Sequence, residues 1–223
     1  MELFGKDIRL AIFDLDGTLI DSTSIWGEID RQFFLKRGKE VPPTYSEEIS
    51  HIGLQKAAEW TKEHYFPNEK EEDILKEWRA MSIEAYEKSI PLKERAKELL
   101  QLLKEKGVHL ALATANSSDL YLPCLTRLGI LQYFECIKDV AAMAEGKDSS
   151  KIYDMISRDF NLTPNNVMVT EDILNALRTA SNAGYLAIGV YDEKSSKDLD
   201  AIKRTAHHFF YNLAELVSII KNQ

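Results

Sequence analysis

Residues 8–14, IRLAIFD, are too apolar to present either side of a strand to water. Such a run reads as a strand covered on both faces, closed by an Asp-Gly turn. A strand of this kind needs parallel neighbours, and runs of the same texture return only after Pro91: Val108 to Ala113 (VHLALA), Phe134 to Val140, Val167 to Thr170 (VMVT), Leu186 to Tyr191 (LAIGVY) and the short HHFFY. Between them lie helical stretches: 92–106 capped by Gly107, 118–128 stopped by Gly129, 149–160, 173–183 closed by Gly184, one near 196–204, and 212–221. Strands alternating with helices of this length imply a parallel sheet with helices on both faces.

Residues 21–90 have a different period. Ile25, Ile29 and Phe33, then Ile74, Trp78, Met81 and Ala85, recur at helical spacing, and Pro42-Pro43 and Pro67 separate the helices. No strand-like alternation interrupts them. The fold expected is α/β: a Rossmann-like parallel core from 1–20 and 91–223, with an all-helical cap, 21–90, inserted after the first strand. Trp26, Trp60 and Trp78 are read as packing within that insert, and His207-His208 as filler at a sheet edge.

Composition narrows the partners. With 36 acidic against 28 basic residues the formal charge is -8, which argues against binding nucleic acid or an anionic membrane. No apolar run approaches the roughly 20 residues of a membrane span. Cys124 and Cys136 have no metal-type spacing and, without a signal-peptide pattern, are expected as reduced thiols in a cytoplasmic protein. A monomer or weak homodimer is equally compatible with the sequence.

Open parallel sheets bind ligands beyond the carboxyl ends of their strands. There the sequence places Asp14 and Asp16 after the first strand, Thr114, Ala115 and Asn116 after VHLALA, Lys147 in EGKDSSK, and Glu171-Asp172 after VMVT. Carboxylates crowded on one rim raise one another's pKa unless a cation neutralises them, and an all-oxygen set suits Mg²⁺. A carboxylate can also act as a nucleophile toward phosphorus, with Lys147 and a helix N-terminus neutralising the phosphate oxygens. Each motif also has an ordinary use: a turn at Asp16-Gly17, a helix cap at Thr114 and Asn116, and dipole compensation at Glu171-Asp172.

DLDGT, a strand ending in Thr114, a Gly-Lys, and the Glu-Asp pair after a further strand occur in this order over nearly the whole chain. The pattern resembles the haloacid-dehalogenase-like hydrolase superfamily, in its helical-cap subgroup of phosphoglycolate-phosphatase-like and beta-phosphoglucomutase-like proteins. The resemblance implies that Asp14 is the nucleophile and Asp16 the acid/base. It implies Mg²⁺ bound by the Asp14 carboxylate, the Asp16 backbone carbonyl and Asp172, with Glu171 as a neighbouring or water-mediated ligand. Thr114, Asn116 and the Ala115 N–H would bind phosphate, and Lys147 would neutralise it. His51 to Lys56 (HIGLQK) resembles the specificity loop of related caps, which makes Lys56 a candidate contact for an anionic substrate; a solvated helix lysine is the alternative.

The chain departs from the family pattern in three places. Lys147 is followed by Asp148 instead of proline, which leaves Lys151 as a second candidate lysine. Ile173 stands where a hydroxyl residue commonly follows the acid pair. Trp26 stands where mutase relatives carry a His. Asp16 argues against dehalogenase and phosphonate-cleaving sites. The function expected is Mg²⁺-dependent hydrolysis of a small phosphorylated metabolite through an aspartyl-phosphate. The alternatives are a sugar phosphomutase and an inactive phosphate-binding protein.

Overall fold

A computed structural model describes residues 1–49, 54–140 and 146–222. The chain divides into two compact units, Met1–Thr23 with Ile90–Gln223, and Ser24–Ser89.

In the first unit a small antiparallel hairpin, β1 (Glu2–Leu3) and β2 (Lys6–Asp7), precedes the sheet. Its turn places Phe4 and Gly5 at positive φ, as a tight hairpin requires. Six strands follow: β3 (Leu10–Phe13), β4 (His109–Thr114), β5 (Cys136–Asp139), β6 (Val167–Glu171), β7 (Leu186–Val190) and β8 (His208–Phe210). They form one parallel sheet in the order β5-β4-β3-β6-β7-β8. Strand β3 is central and every one of its residues is buried, which accounts for its unbroken apolar run.

Leu10, Ile12, Ala111, Ala113, Val167 and Val169 share one core cluster with side chains of α7 (Lys151–Asp159), α8 (Leu174–Asn182) and α9 (Leu199–Thr205). Helix α5 (Ala96–Glu105) packs on β4 and on α10 (Leu213–Lys221), and α6 (Ser118–Leu128) follows β4. The chain runs outward from β3 to β4 and β5, then resumes at β6 on β3's other side and runs the opposite way. That reversal opens a crevice at the carboxyl ends of β3 and β6.

The boundaries differ from the sequence reading for local reasons. Ile8 turns its N–H to the Met1 carbonyl at 2.8 Å and lies outside β3, while Arg9, just ahead of the strand, already bonds to the Asn166 carbonyl at 2.9 Å and accepts the His109 N–H at 2.8 Å. Helix α5 starts only at Ala96 because residues 91–93 pair with residues 19–21 as an extended ribbon. The helix expected near 196–204 is a 3₁₀ turn, Glu193–Asp198, leading into α9.

The second unit contains α1 (Thr23–Leu35, whose first residue belongs to the first unit), α2 (Tyr45–Ile49), α3 (Leu54–Tyr65) and α4 (Glu71–Lys88). Ile29, Phe33, Phe34, Tyr45, Ile74 and Trp78 are buried together, with Trp60 packed against them. Trp26 departs from the packing role expected of it and is exposed. The glycine turn expected at His51–Gly53 lies outside the described residues. No described helix is long and apolar enough to cross a membrane.

Candidate active site

Asp14 is the first residue beyond β3, and its N–H bonds to the Thr170 carbonyl at 3.0 Å. Glu171 ends β6 and Asp172 follows it. Parallel pairing of Phe13 with Thr170 therefore sets all three carboxylates at the crevice. One oxygen from each of Asp14, Glu171 and Asp172 lies within 4.8 Å of the others, and all three residues are buried.

Lys147, in the 3₁₀ turn Gly146–Asp148, reaches the same place. Its ammonium pairs with the Asp14 carboxylate and with Glu171 Oε1, the latter at 2.8 Å. The Tyr153 hydroxyl of α7 donates to that same Oε1 at 3.0 Å. Among the described residues Glu171 Oε2 is buried with no hydrogen-bond partner. Asp172 receives longer contacts, from Thr18 Oγ1 and Ser195 Oγ, both at 3.4 Å.

The charges are unbalanced. Burial raises the Glu171 carboxyl above the usual range against the pull of Lys147, and the Asp14 charge adds to the rise. Burial, then the charges of Asp14, Glu171 and Asp192, push Asp172 well up. Burial opposes the Lys147 ammonium, but Asp14 and Glu171 outweigh it and hold its pKa above the ordinary value. A buried, oxygen-only set of three acids with one amine and one orphaned carboxylate oxygen fits a hard divalent cation.

Asp16 is half-buried, and its side chain is not among the three clustered carboxylates. The Asn116 amide donates to Asp16 Oδ2 at 2.5 Å, so these two expected site residues meet each other. Thr114 is fully buried at the end of β4, and its Oγ1 accepts the Asn116 N–H at 3.1 Å. Ala115 between them is exposed. Lys151 is exposed at the first residue of α7, in contrast to Lys147. Lys56 is exposed on α3, in the other unit.

Tyr153, Ser195 and Asp192 escape the sequence reading. Asp192 lies two residues beyond β7 and is buried. Its signal is the one that marks the ends of β3, β4 and β6: a polar residue just past the carboxyl end of a buried parallel strand, here LAIGVY. Tyr153 carries no such signal, because a buried helical tyrosine reads as core.

The haloacid dehalogenase-like hydrolase family profile matches residues 11–190. This chain belongs to that family. Among its relatives, the hydrolase is 25% identical to a phosphorylated carbohydrates phosphatase of Thermotoga maritima over 177 residues, covering 79% of this chain and 82% of that protein. It is 30% identical to a phosphoglycolate phosphatase of Agrobacterium fabrum over 188 residues, 81% of this chain and 79% of the relative. A Thermotoga maritima structure provisionally assigned as a beta-phosphoglucomutase superposes with a TM-score of 0.84 at 24% identity, covering 96% of this hydrolase and 99% of that chain.

Proposed function

We propose that this protein is a Mg²⁺-dependent phosphomonoester hydrolase acting on a small phosphorylated metabolite through a phosphoryl group carried on Asp14. The observation that carries this reading is the buried convergence of Asp14, Glu171 and Asp172 with Lys147 at one crevice. Phosphatase names among the relatives support the reaction class.

In this reading Asp14, Asp172 and the Asp16 backbone carbonyl hold Mg²⁺, and Glu171 supports it directly or through water. When bound, the ion supplies charge neutralisation for the phosphate oxygens and suppresses repulsion among the acids. An Asp14 oxygen attacks phosphorus as the bond from phosphorus to the ester oxygen breaks. Asp16 gives a proton to that leaving oxygen. The Asp16 carboxylate then takes a proton from water, whose oxygen attacks phosphorus and frees Asp14 and inorganic phosphate. Asn116, already bonded to Asp16, orients that carboxyl group and with Thr114 and the Ala115 N–H contacts the phosphate. Lys147 balances the negative charge around Asp14. Lys56 is the proposed contact for a further anionic group on the substrate.

Phosphate release from sugar, nucleotide and organic-acid phosphates, with Mg²⁺ and with a chelator, tests this reading. Mg²⁺-dependent turnover of at least one class is expected. Isomerised sugar phosphate without phosphate release would favour a mutase, and no turnover with any class would contradict an enzyme.

A further inference from the structure

Asp192 uses both oxygens of a buried carboxylate. Oδ1 accepts from Thr23 Oγ1 at 2.6 Å and from the Lys194 N–H at 3.0 Å. Oδ2 accepts from Lys93 Nζ at 2.7 Å, and Lys93 also donates to the Tyr191 carbonyl at 3.0 Å. The positions of these donors in the chain give the arrangement its meaning. Thr23 is the last residue of the first unit before the chain enters residues 24–89, and Lys93 lies just after its return at Ile90.

The two crossing segments are also joined to each other. The Lys93 N–H bonds to the Leu19 carbonyl at 2.9 Å, and the Asp21 N–H to the Pro91 carbonyl at 3.0 Å. Ile20 and Leu92 form an antiparallel bridge between these bonds. The result is a short ribbon with one side chain from each segment, Thr23 and Lys93, ending on one carboxylate.

That carboxylate also borders the acidic cluster. Gly17 lies between Asp172 and Asp192: a Cβ at Gly17 would stand 2.5 Å from Asp172 Oδ2 and 3.2 Å from Asp192 Cγ. The Asp192 carbonyl accepts the Ser195 N–H at 3.1 Å, and the Ser195 hydroxyl contacts Asp172 at 3.4 Å. Displacing Asp192 would therefore shift the packing on both sides of Asp172.

We infer that Asp192 is a positioning residue: it clamps the ribbon through which the chain enters and leaves residues 24–89, and holds that ribbon in register with the Asp172 side of the acidic cluster. The cluster's role as a cation site rests on the function proposed above; the clamp itself does not. A close-packed, fully bonded carboxylate has few ways to relax, so loosening the ribbon also loosens the cluster.

The test uses the full chain with Thr23→Val, which keeps the shape and loses the donor, Thr23→Ser, which keeps the hydroxyl, and Lys93→Met. Amide hydrogen exchange is followed by peptide, and Mg²⁺ affinity is measured by calorimetry. Thr23→Val and Lys93→Met are each expected to speed exchange about tenfold in residues 19–23 and 91–94 while β4 and β6 keep their protection. The same variants should weaken Mg²⁺ binding about three- to tenfold, and Thr23→Ser should restore both properties. Exchange and affinity within about twofold of the unaltered protein in both variants would overturn the inference, as would faster exchange spread evenly over the sheet. No Mg²⁺ binding by the unaltered protein, together with the local exchange response in the two variants, would contradict the proposed function while supporting the clamp.

Discussion

Lys147 and Asp14 stand 133 positions apart in the chain and form a partly buried ion pair at the crevice between β3 and β6. The pair joins the acid at the end of the central strand to the turn ahead of α7. Lys147 also bonds to Glu171, so its single ammonium faces two carboxylates.

Removing that ammonium leaves two buried carboxylates without the cation that pairs with both, and the phosphate without its balancing charge. Lys147→Ala is expected to lower kcat/KM for an aryl phosphate about 100-fold or more. Lys151→Ala, at an exposed position, should stay within about threefold of the unaltered enzyme. Steady-state kinetics on the two variants checks this, and a larger loss for Lys151→Ala would reverse the assignment.

Gly17 combines a φ of +80° with a wall of carboxylate on the side where a Cβ would project. Gly17→Ala is expected to cost about 1–3 kcal/mol of stability, because an L side chain is strained at that φ. The methyl group also collides with Asp172, so Mg²⁺ affinity should fall with stability. Urea unfolding and cation titration of the same variant measure the two effects.

Cation binding should be linked to proton release. Burial raises the pKa of the Glu171 and Asp172 carboxyl groups, and a hard cation needs both ionised, so protons compete with the cation more strongly as pH falls. Thermal stabilisation by Mg²⁺ is therefore expected to be larger at about pH 8 than at about pH 5.5. Calorimetry in buffers of different ionisation enthalpy should show proton release on binding. Stabilisation independent of pH would contradict the competition between protons and the cation.

Asp30 gives a pH response inside the helical unit. Burial raises its pKa from 3.8 to about 6, opposed by a bond from Ser46. An acid with a raised folded pKa holds its proton more tightly folded than unfolded. Its contribution to stability is full below about 4 and is lost as pH rises through about 6. Relative to Asp30→Asn, the unaltered protein should lose about 1–3 kcal/mol across that window and then level off. Thermal unfolding of both proteins over this range measures the difference.

Much of the sheet is legible in the sequence because its inner strands are short and buried on both faces, so LAIF, LALA and VMVT announce themselves without alternation. The acids can be placed because parallel strands bring their carboxyl ends to one rim whatever the intervening sequence. Side-chain pairing is less accessible. Nothing in the sequence says that Asn116 bonds to Asp16, or that Lys147 instead of Lys151 reaches Asp14, since these depend on turn geometry. The delayed start of α5 is hidden for a related reason: the ribbon pairing of residues 91–93 with 19–21 is a long-range contact that overrides helix propensity. Trp26 misleads because an aromatic residue within a helical insert reads as packing, yet its side chain is exposed.

The nucleophilic role of Asp14 is tested most directly by acid-quenching the enzyme during turnover of a phosphate monoester with Mg²⁺ and locating any bound phosphoryl group by peptide mass spectrometry. One phosphoryl group on the peptide carrying Asp14 is predicted, absent without Mg²⁺ and absent in Asp14→Asn, which should stay folded and release no phosphate. Phosphate release by Asp14→Asn at the rate of the unaltered enzyme would contradict it.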